Sequence, residues 1–239
     1  MKVAVSVLMM ITGLWVSDLN GQDPRTIDRI MQNLYIDAGL NSSTTTNHED
    51  YDRRAGLTFG VGTILDGSDL PGINNISVLS DLRYDLGIKF EQFGSKWGDS
   101  QSWEGGRFSE SFDLRFTYLS FPLLVQYVLC EAYLMGGLKP RFLVGGTEGW
   151  KITTVFSSDD METKNVESGE EDIKDDLKTL DFGLVFGAGY PFNWRDYNFR
   201  VEAKYEMGLR DIWDGSNGSS DFSLKNNNFS LTFAWQLGL

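Results

Sequence analysis

Eight segments of this chain alternate apolar and polar residues with a period of two, and that period excludes most folds. In LRYDLGIKFE, Leu82, Tyr84, Leu86, Ile88 and Phe90 interleave with Arg83, Asp85, Gly87, Lys89 and Glu91. On a helix, side chains two apart are turned by roughly 200°, so the apolar set would scatter. On a strand it falls on one face. The same alternation marks Leu34–Leu40, Leu57–Val61, Leu134–Phe142, Phe182–Tyr190, Phe199–Leu209 and Phe229–Leu239. In the remaining segment, Leu114, Phe116 and Tyr118 lead, the phase slips, and Leu119, Phe121, Leu123, Val125 and Tyr127 follow. A one-residue slip of this kind is expected at a β-bulge, with Pro122 just beyond it.

Which face is inside decides the class. In a soluble sandwich or a lipocalin-like cup the apolar face is core; in a membrane barrel it meets lipid. The polar faces carry the acids Asp37, Asp81, Asp85, Glu91, Asp113, Asp181, Glu202 and Glu206. They also carry the bases Arg83, Lys89, Arg115, Lys139, Arg141, Arg200, Lys204 and Arg210. Eight stand against eight, although the whole chain has a net charge of −13. A solvated face has no need of such balance. A crowded interior does, because unpaired charge in low dielectric is costly. An interior lined from eight strands with Leu, Phe and Tyr would overfill a barrel of this size. The reading is therefore an all-β, eight-stranded antiparallel up-and-down transmembrane β-barrel, its lumen plugged by these sixteen residues as a structural ion-pair network. Arg83→Ala and Glu202→Ala are both expected to strand a buried partner. Glycines on the same face, among them Gly62, Gly87, Gly183 and Gly189, make room for long side chains.

Residues 1–21 read as a secretory signal peptide, with Lys2 followed by an apolar run from Val3 to Val16 and a cut after Gly21. Residues 22–32 follow as a periplasmic N-terminal segment and 33–239 as the barrel domain. If an exported chain with no further apolar run long enough for a helix sits in a membrane, it does so as a closed barrel. The expected location is the outer membrane, with outer-membrane lipid as surroundings. Segments 42–54, 92–111, 146–178 and 211–227 are long and polar and are expected as loops on the outer side. Tyr35, Trp97, Phe112, Tyr127, Tyr190, Trp194, Tyr197 and Trp213 are expected in aromatic girdles at the strand ends.

Chemistry is sparse. The acidic balance excludes nucleic-acid binding, which needs Lys and Arg against phosphate. The single cysteine, Cys130, permits no internal disulfide and no metal cluster. The one histidine, His48, stands in TNHED near Ser42, Ser43 and Asp50, a minimal set for a loop-borne lipid-modifying enzyme. Segment 146–178 holds ten acids and four lysines but no calcium-loop spacing, which marks a solvated acidic loop. No cofactor is expected, and no metal. The expected function is structural or interactive, with protein partners met through the outer loops or periplasmic turns. The alternatives are an accessory subunit of a secretion or assembly machine, and a narrow gated pore; an open diffusion pore needs about 16 strands.

The stretches RYDLGIKF, YLSFPLL, LDFGLVFGAGY, YEMGLRDI and NNFSLTFAWQLGL resemble the PorT-like outer-membrane β-barrel family, typical of Gram-negative bacteria of the Bacteroidetes type. The likeness runs from residue 33 to the end. It rests on Tyr84 and Gly87, Tyr118 with Pro122-Leu123-Leu124, Asp181-Phe182-Gly183, Gly187 with Gly189-Tyr190, and Gly208-Leu209. The resemblance implies an eight-stranded outer-membrane barrel without a defined activity. One member type assists a protein secretion system at the cell surface.

Overall fold

The computed structural model describes residues 31–46, 51–69, 76–158, 161–214 and 224–238. The expected signal peptide, His48 and Asp50 lie outside them. The described strands are β1 (Leu34–Thr46), β2 (Asp52–Asp66), β3 (Arg83–Trp103), β4 (Gly106–Ser120), β5 (Leu123–Leu129), β6 (Ala132–Ser158), β7 (Met161–Asp172), β8 (Leu180–Trp194), β9 (Tyr197–Gly208) and β10 (Lys225–Gln236). All pairings are antiparallel, and the sheet closes on itself through β2–β3 and β1–β10.

The ten strands make eight positions round the ring. β4 and β5 share one position: β4 pairs with β3 from Lys89 upward, and β5 pairs with Arg83–Leu86 of the same strand. Phe121 and Pro122 separate them. Proline offers no N–H to the ladder, and the Phe121 N–H donates to the Pro140 carbonyl at the break. β7 pairs only with β6 and belongs to a hairpin above the ring.

Short connections, Leu129–Ala132 and Trp194–Tyr197, lie at one end, the periplasmic one by the usual asymmetry of such barrels. The segment between β2 and β3, which includes a helix over Ser77–Ser80, is at the same end. At the other end the segments expected as loops are largely strand. Residues 92–103 and 106–111 continue β3 and β4, and 146–158 with 161–172 continue β6 and add β7. Their outward phase is largely polar, and their inward phase mixes Trp97, Phe108, Phe112, Trp150 and Ile152 with Asp99, Glu110 and Glu148, so the apolar alternation is interrupted.

The ring is apolar outside. Leu40, Leu57, Phe59, Leu134, Phe186 and Leu231 are more than half exposed on it. Residues in the opposite phase, such as Asp37 and Glu202, are buried. Tyr127, Tyr190, Trp194 and Tyr197 stand exposed toward the periplasmic end, as expected of a girdle.

Tyr35 does not join it, being buried in the lumen. β4 also departs from expectation. Leu114, Phe116, Tyr118 and Ser120 all face inward, and the even phase continues through Pro122, Leu124 and Gln126. The irregularity is on the neighbouring strand: Tyr118 pairs with Leu143 and Thr117 with Gly145, so β6 carries an extra residue, Val144. Asp113 and Arg115 consequently face outward. The inward apolar residues meet Phe93, Leu143, Ile173, Leu177, Ile212 and Leu224, which cap the outer mouth.

Candidate functional site

Eleven charged residues are buried inside the ring, six acids and five bases: Asp37, Asp85, Glu91, Asp181, Glu202 and Glu206 with Lys89, Lys139, Arg141, Arg200 and Lys204. Each comes from a strand position in phase with the lumen. They fall into three groups along the axis.

Nearest the periplasm, Arg200 lies flat over Tyr35, its guanidinium carbon 3.8 Å from the ring centre. Its Nε is 3.1 Å from Glu202 Oε1 and its Nη2 is 3.8 Å from Asp85 Oδ2. These are ion contacts without hydrogen-bond alignment. Asp85 instead accepts from the Tyr35 hydroxyl at 2.5 Å and from Gln126 Nε2 at 3.1 Å. Glu202 accepts from the Tyr133 hydroxyl at 2.7 Å and from Lys204 Nζ at 2.6 Å. Tyr35 and Tyr133 lie over Gly62 and Gly189, where a Cβ would fall inside the ring. Glycine permits that close approach.

At mid-height Lys89 pairs with Asp37. Above it, Lys139 bridges Glu91, at 3.0 Å, and Glu206. Arg141 joins Glu206 to Asp181, the latter at 3.0 Å. Asn226 Nδ2 donates to the Tyr118 hydroxyl at 3.1 Å and to Asp181 at 3.3 Å. The Arg141 guanidinium carbon sits 4.8 Å from the Phe93 ring centre and 5.4 Å from that of Tyr118, directly beneath the apolar cap. Between Lys89, Lys139 and Lys204 a void has room for about one water. A vestibule of about 260 Å³ opens at the periplasmic mouth beside Arg200, Gln126 and Tyr133.

The cap is held by backbone. Asp211 Oδ1 accepts from the N–H of Trp213 at 3.0 Å and of Leu224 at 2.8 Å. Lys178 N donates to the Ile212 carbonyl at 2.8 Å, which ties the segment after β7 to the one after β9. Above the cap, burial and the facing Glu171 push the Glu148 carboxyl up from its ordinary value.

Five of the sixteen expected residues lie elsewhere. Asp81 is exposed in the turn before β3. Arg83 pairs with Asp66 at 3.1 Å, both about half exposed at the periplasmic rim. Arg210 is exposed and donates to the Leu180 carbonyl at 3.2 Å. Asp113 and Arg115 pair on the outer face at 3.0 Å, with Arg54 Nε 2.8 Å from Asp113. The eight-to-eight balance thus becomes six to five. The Tyr35 and Gln126 donors that face Asp85 help to offset the extra acid. Tyr35, Tyr133, Gln126 and Asn226 were missed as network members. Their signal was phase, since each shares the lumen-facing period with the buried charges.

Ser43 is committed to the fold, its hydroxyl accepting from Gly94 N at 2.8 Å and donating to Gly94 O at 3.0 Å. Cys130 is exposed in the β5–β6 turn. Among the described residues no group of His, Cys, Asp and Glu is placed to hold a metal.

A closed antiparallel ring, apolar outside and charged within, is the outer-membrane barrel arrangement. Residues 22–214 match the family model described as the outer membrane protein beta-barrel domain. The chain belongs to that family. It is a small outer-membrane β-barrel protein and resides in the outer membrane. Among solved structures it is similar to Ail, the attachment invasion locus protein of Yersinia pestis, crystallised with the heparin analogue sucrose octasulfate. That match has 13% identity, covers 86% of this chain and 99% of that one, and has a TM-score of 0.32. Neisserial surface protein A matches at 10% identity over 85% and 97% of the two chains, with a TM-score of 0.35. The Escherichia coli outer membrane protease OmpT matches at 10% identity over 87% and 97%, with a TM-score of 0.25. At these values none of the three says what this chain binds or does. The chain matches no curated protein.

Proposed function

We propose that this barrel is a closed structural support that presents an interaction surface to the cell exterior and catalyses no reaction. The observation that carries this is the sequence of layers on the axis. Three ion-paired groups, with a void for about one water among them, stand beneath an apolar cap. The eleven buried charges act as a plug: Lys89–Asp37, Lys139–Glu91 and Arg141–Glu206 join strands that are far apart in sequence, and a rigid ring supports the sheet above it. That sheet, the upper parts of β3, β4 and β6 with β7, is the interactive part. Among the described residues β3 has no partner on its β2 side beyond Lys96, and β7 has one only on its β6 side. Unpaired strand edges accept an added strand from a partner protein. The PorT-like affiliation belongs to the same reading, supported by RYDLGIKF and LDFGLVFGAGY.

A second reading, an accessory subunit working from the periplasmic side, is favoured by one observation. Ile76 and Val78 are exposed in the segment between β2 and β3, away from the lipid-facing band. Recording in planar bilayers tests the closed support against the pore. The full-length protein should give no unitary current steps, and reproducible steps at neutral pH would replace this reading with a narrow pore.

A further inference from the structure

The protruding sheet sorts its cations onto one face. Its inward face continues the lumen phase from Ser95 and Leu114, both buried. Strand register sets three rows across that face. The lowest is Ser95–Leu114–Glu148–Glu171, the next Trp97–Phe112–Trp150–Gly169, and the third Asp99–Glu110–Ile152–Glu167. An aromatic row thus lies between two rows that carry carboxylates. The cations of these strands beyond Ser95, namely Lys96, Arg107, Arg115, Lys151 and Lys164, are all in the outward phase. The three inward rows hold five acids and no base.

Those acids lack counter-charge. Asp99 stands opposite Glu110 in the ladder, and Glu148 opposite Glu171. Like charges directly opposite are destabilising. Burial and Glu171 push the Glu148 carboxyl up from its ordinary value. Among the described residues none of the five makes an ion pair, and neither does Lys174 in the turn after β7. The aromatic row is open to a ligand. Trp97, Phe112 and Trp150 are half-buried, and the Trp97 and Phe112 ring centres are 5.3 Å apart. A Cβ on Gly169 would meet three Trp150 ring atoms at 2.7 to 2.8 Å. That ring therefore lies face down on β7 and turns its other π face away from the sheet. Such faces attract ammonium groups. The carboxylate rows are four residues apart on each strand, about 13 Å.

We propose that this face binds a linear polyamine laid across the aromatic row, with an ammonium group in each carboxylate row. The proposal rests on the reading of the protruding sheet as the interactive part. The methylenes cover the rings, and the ammonium groups supply the cations that both rows lack. A basic peptide suits the face less well. The sheet's own backbone groups are spent in its ladder, so a peptide's amides would lie unpaired on the rings.

The test uses the full-length protein folded in nonionic detergent. Spermidine, butylamine, magnesium and trilysine are titrated separately at one ionic strength and followed by calorimetry. Spermidine should bind saturably, at least tenfold more tightly than any of the other three. Trp97→Ala/Trp150→Ala, which removes rings and no charge, should weaken that binding at least tenfold. Glu110→Gln/Glu148→Gln should do the same by removing charge and no ring. Glu170→Gln, on the outward face of β7, should leave it unchanged. Heat-shifted gel migration confirms that each variant is a folded barrel. Unaltered binding in either double variant would overturn the proposal, and so would magnesium or trilysine binding as tightly as spermidine. Current steps in bilayers would defeat the closed support without touching this titration.

Discussion

At the scale of residues, the difference between a buried and a rim ion pair is the sharpest consequence of the lumen geometry. Arg141 is fully buried and holds two carboxylates, Asp181 and Glu206. Removing it leaves both without their cation in a low-dielectric interior. Loss of one partner of a buried pair costs about 3–5 kcal/mol. Arg83 and Asp66 are about half exposed, and such pairs contribute about 1 kcal/mol or less. Urea unfolding of the refolded barrel should therefore show Arg141→Ala strongly destabilised and Arg83→Ala near wild type. The sequence reading placed Arg83 and Glu202 in one class because both lie in the lumen-facing phase. Phase reports the face of a strand and not the height along it. Arg83 begins β3 at the rim, whereas Glu202 sits well inside. The same ambiguity misassigned Arg210, which lies beyond the end of β9. It also put Tyr35 in a girdle when its hydroxyl is bonded to Asp85.

At the scale of elements, the strands that cross lipid were legible because hydrocarbon demands apolar residues on one face and the filled lumen admits charge on the other. The strand extensions were not, because above the bilayer no hydrocarbon demands an apolar outward face, and their aromatic residues, Trp97, Phe112 and Trp150 among them, lie in the inward phase interrupted by Asp99, Glu110 and Glu148. β4 was misread for a different reason. Its apolar inward residues serve the cap, so the inward and outward sets exchange character part-way along one unbroken phase. The extra residue that disturbs register is Val144 on β6, which nothing in the sequence of β4 reveals. The cap itself depends on Asp211, whose one carboxylate oxygen collects two backbone N–H groups. Asp211→Ala should free those groups and speed amide exchange at Ile212, Trp213 and Leu224. Exchange in β9 and β10 near Glu202 and Thr232 should stay slow, because their ladder and ion pairs do not pass through the cap. Mass-spectrometric exchange of the folded protein in micelles reads both.

At the scale of the whole molecule, every layer rests on one inversion, with apolar side chains outside and charged ones on the axis. Eleven buried charges could not serve as the core of a water-soluble barrel whose exterior exposes Leu40, Leu57, Phe59 and Leu231. The direct measurement is a nitroxide scan along Phe229–Trp235 of β10, one cysteine at a time on a Cys130→Ser background, in phospholipid vesicles. Oxygen accessibility should rise at 229, 231 and 233 and fall at 230, 232 and 234, with the inward labels immobilised. The opposite phase, or no alternation at all, would contradict the inversion.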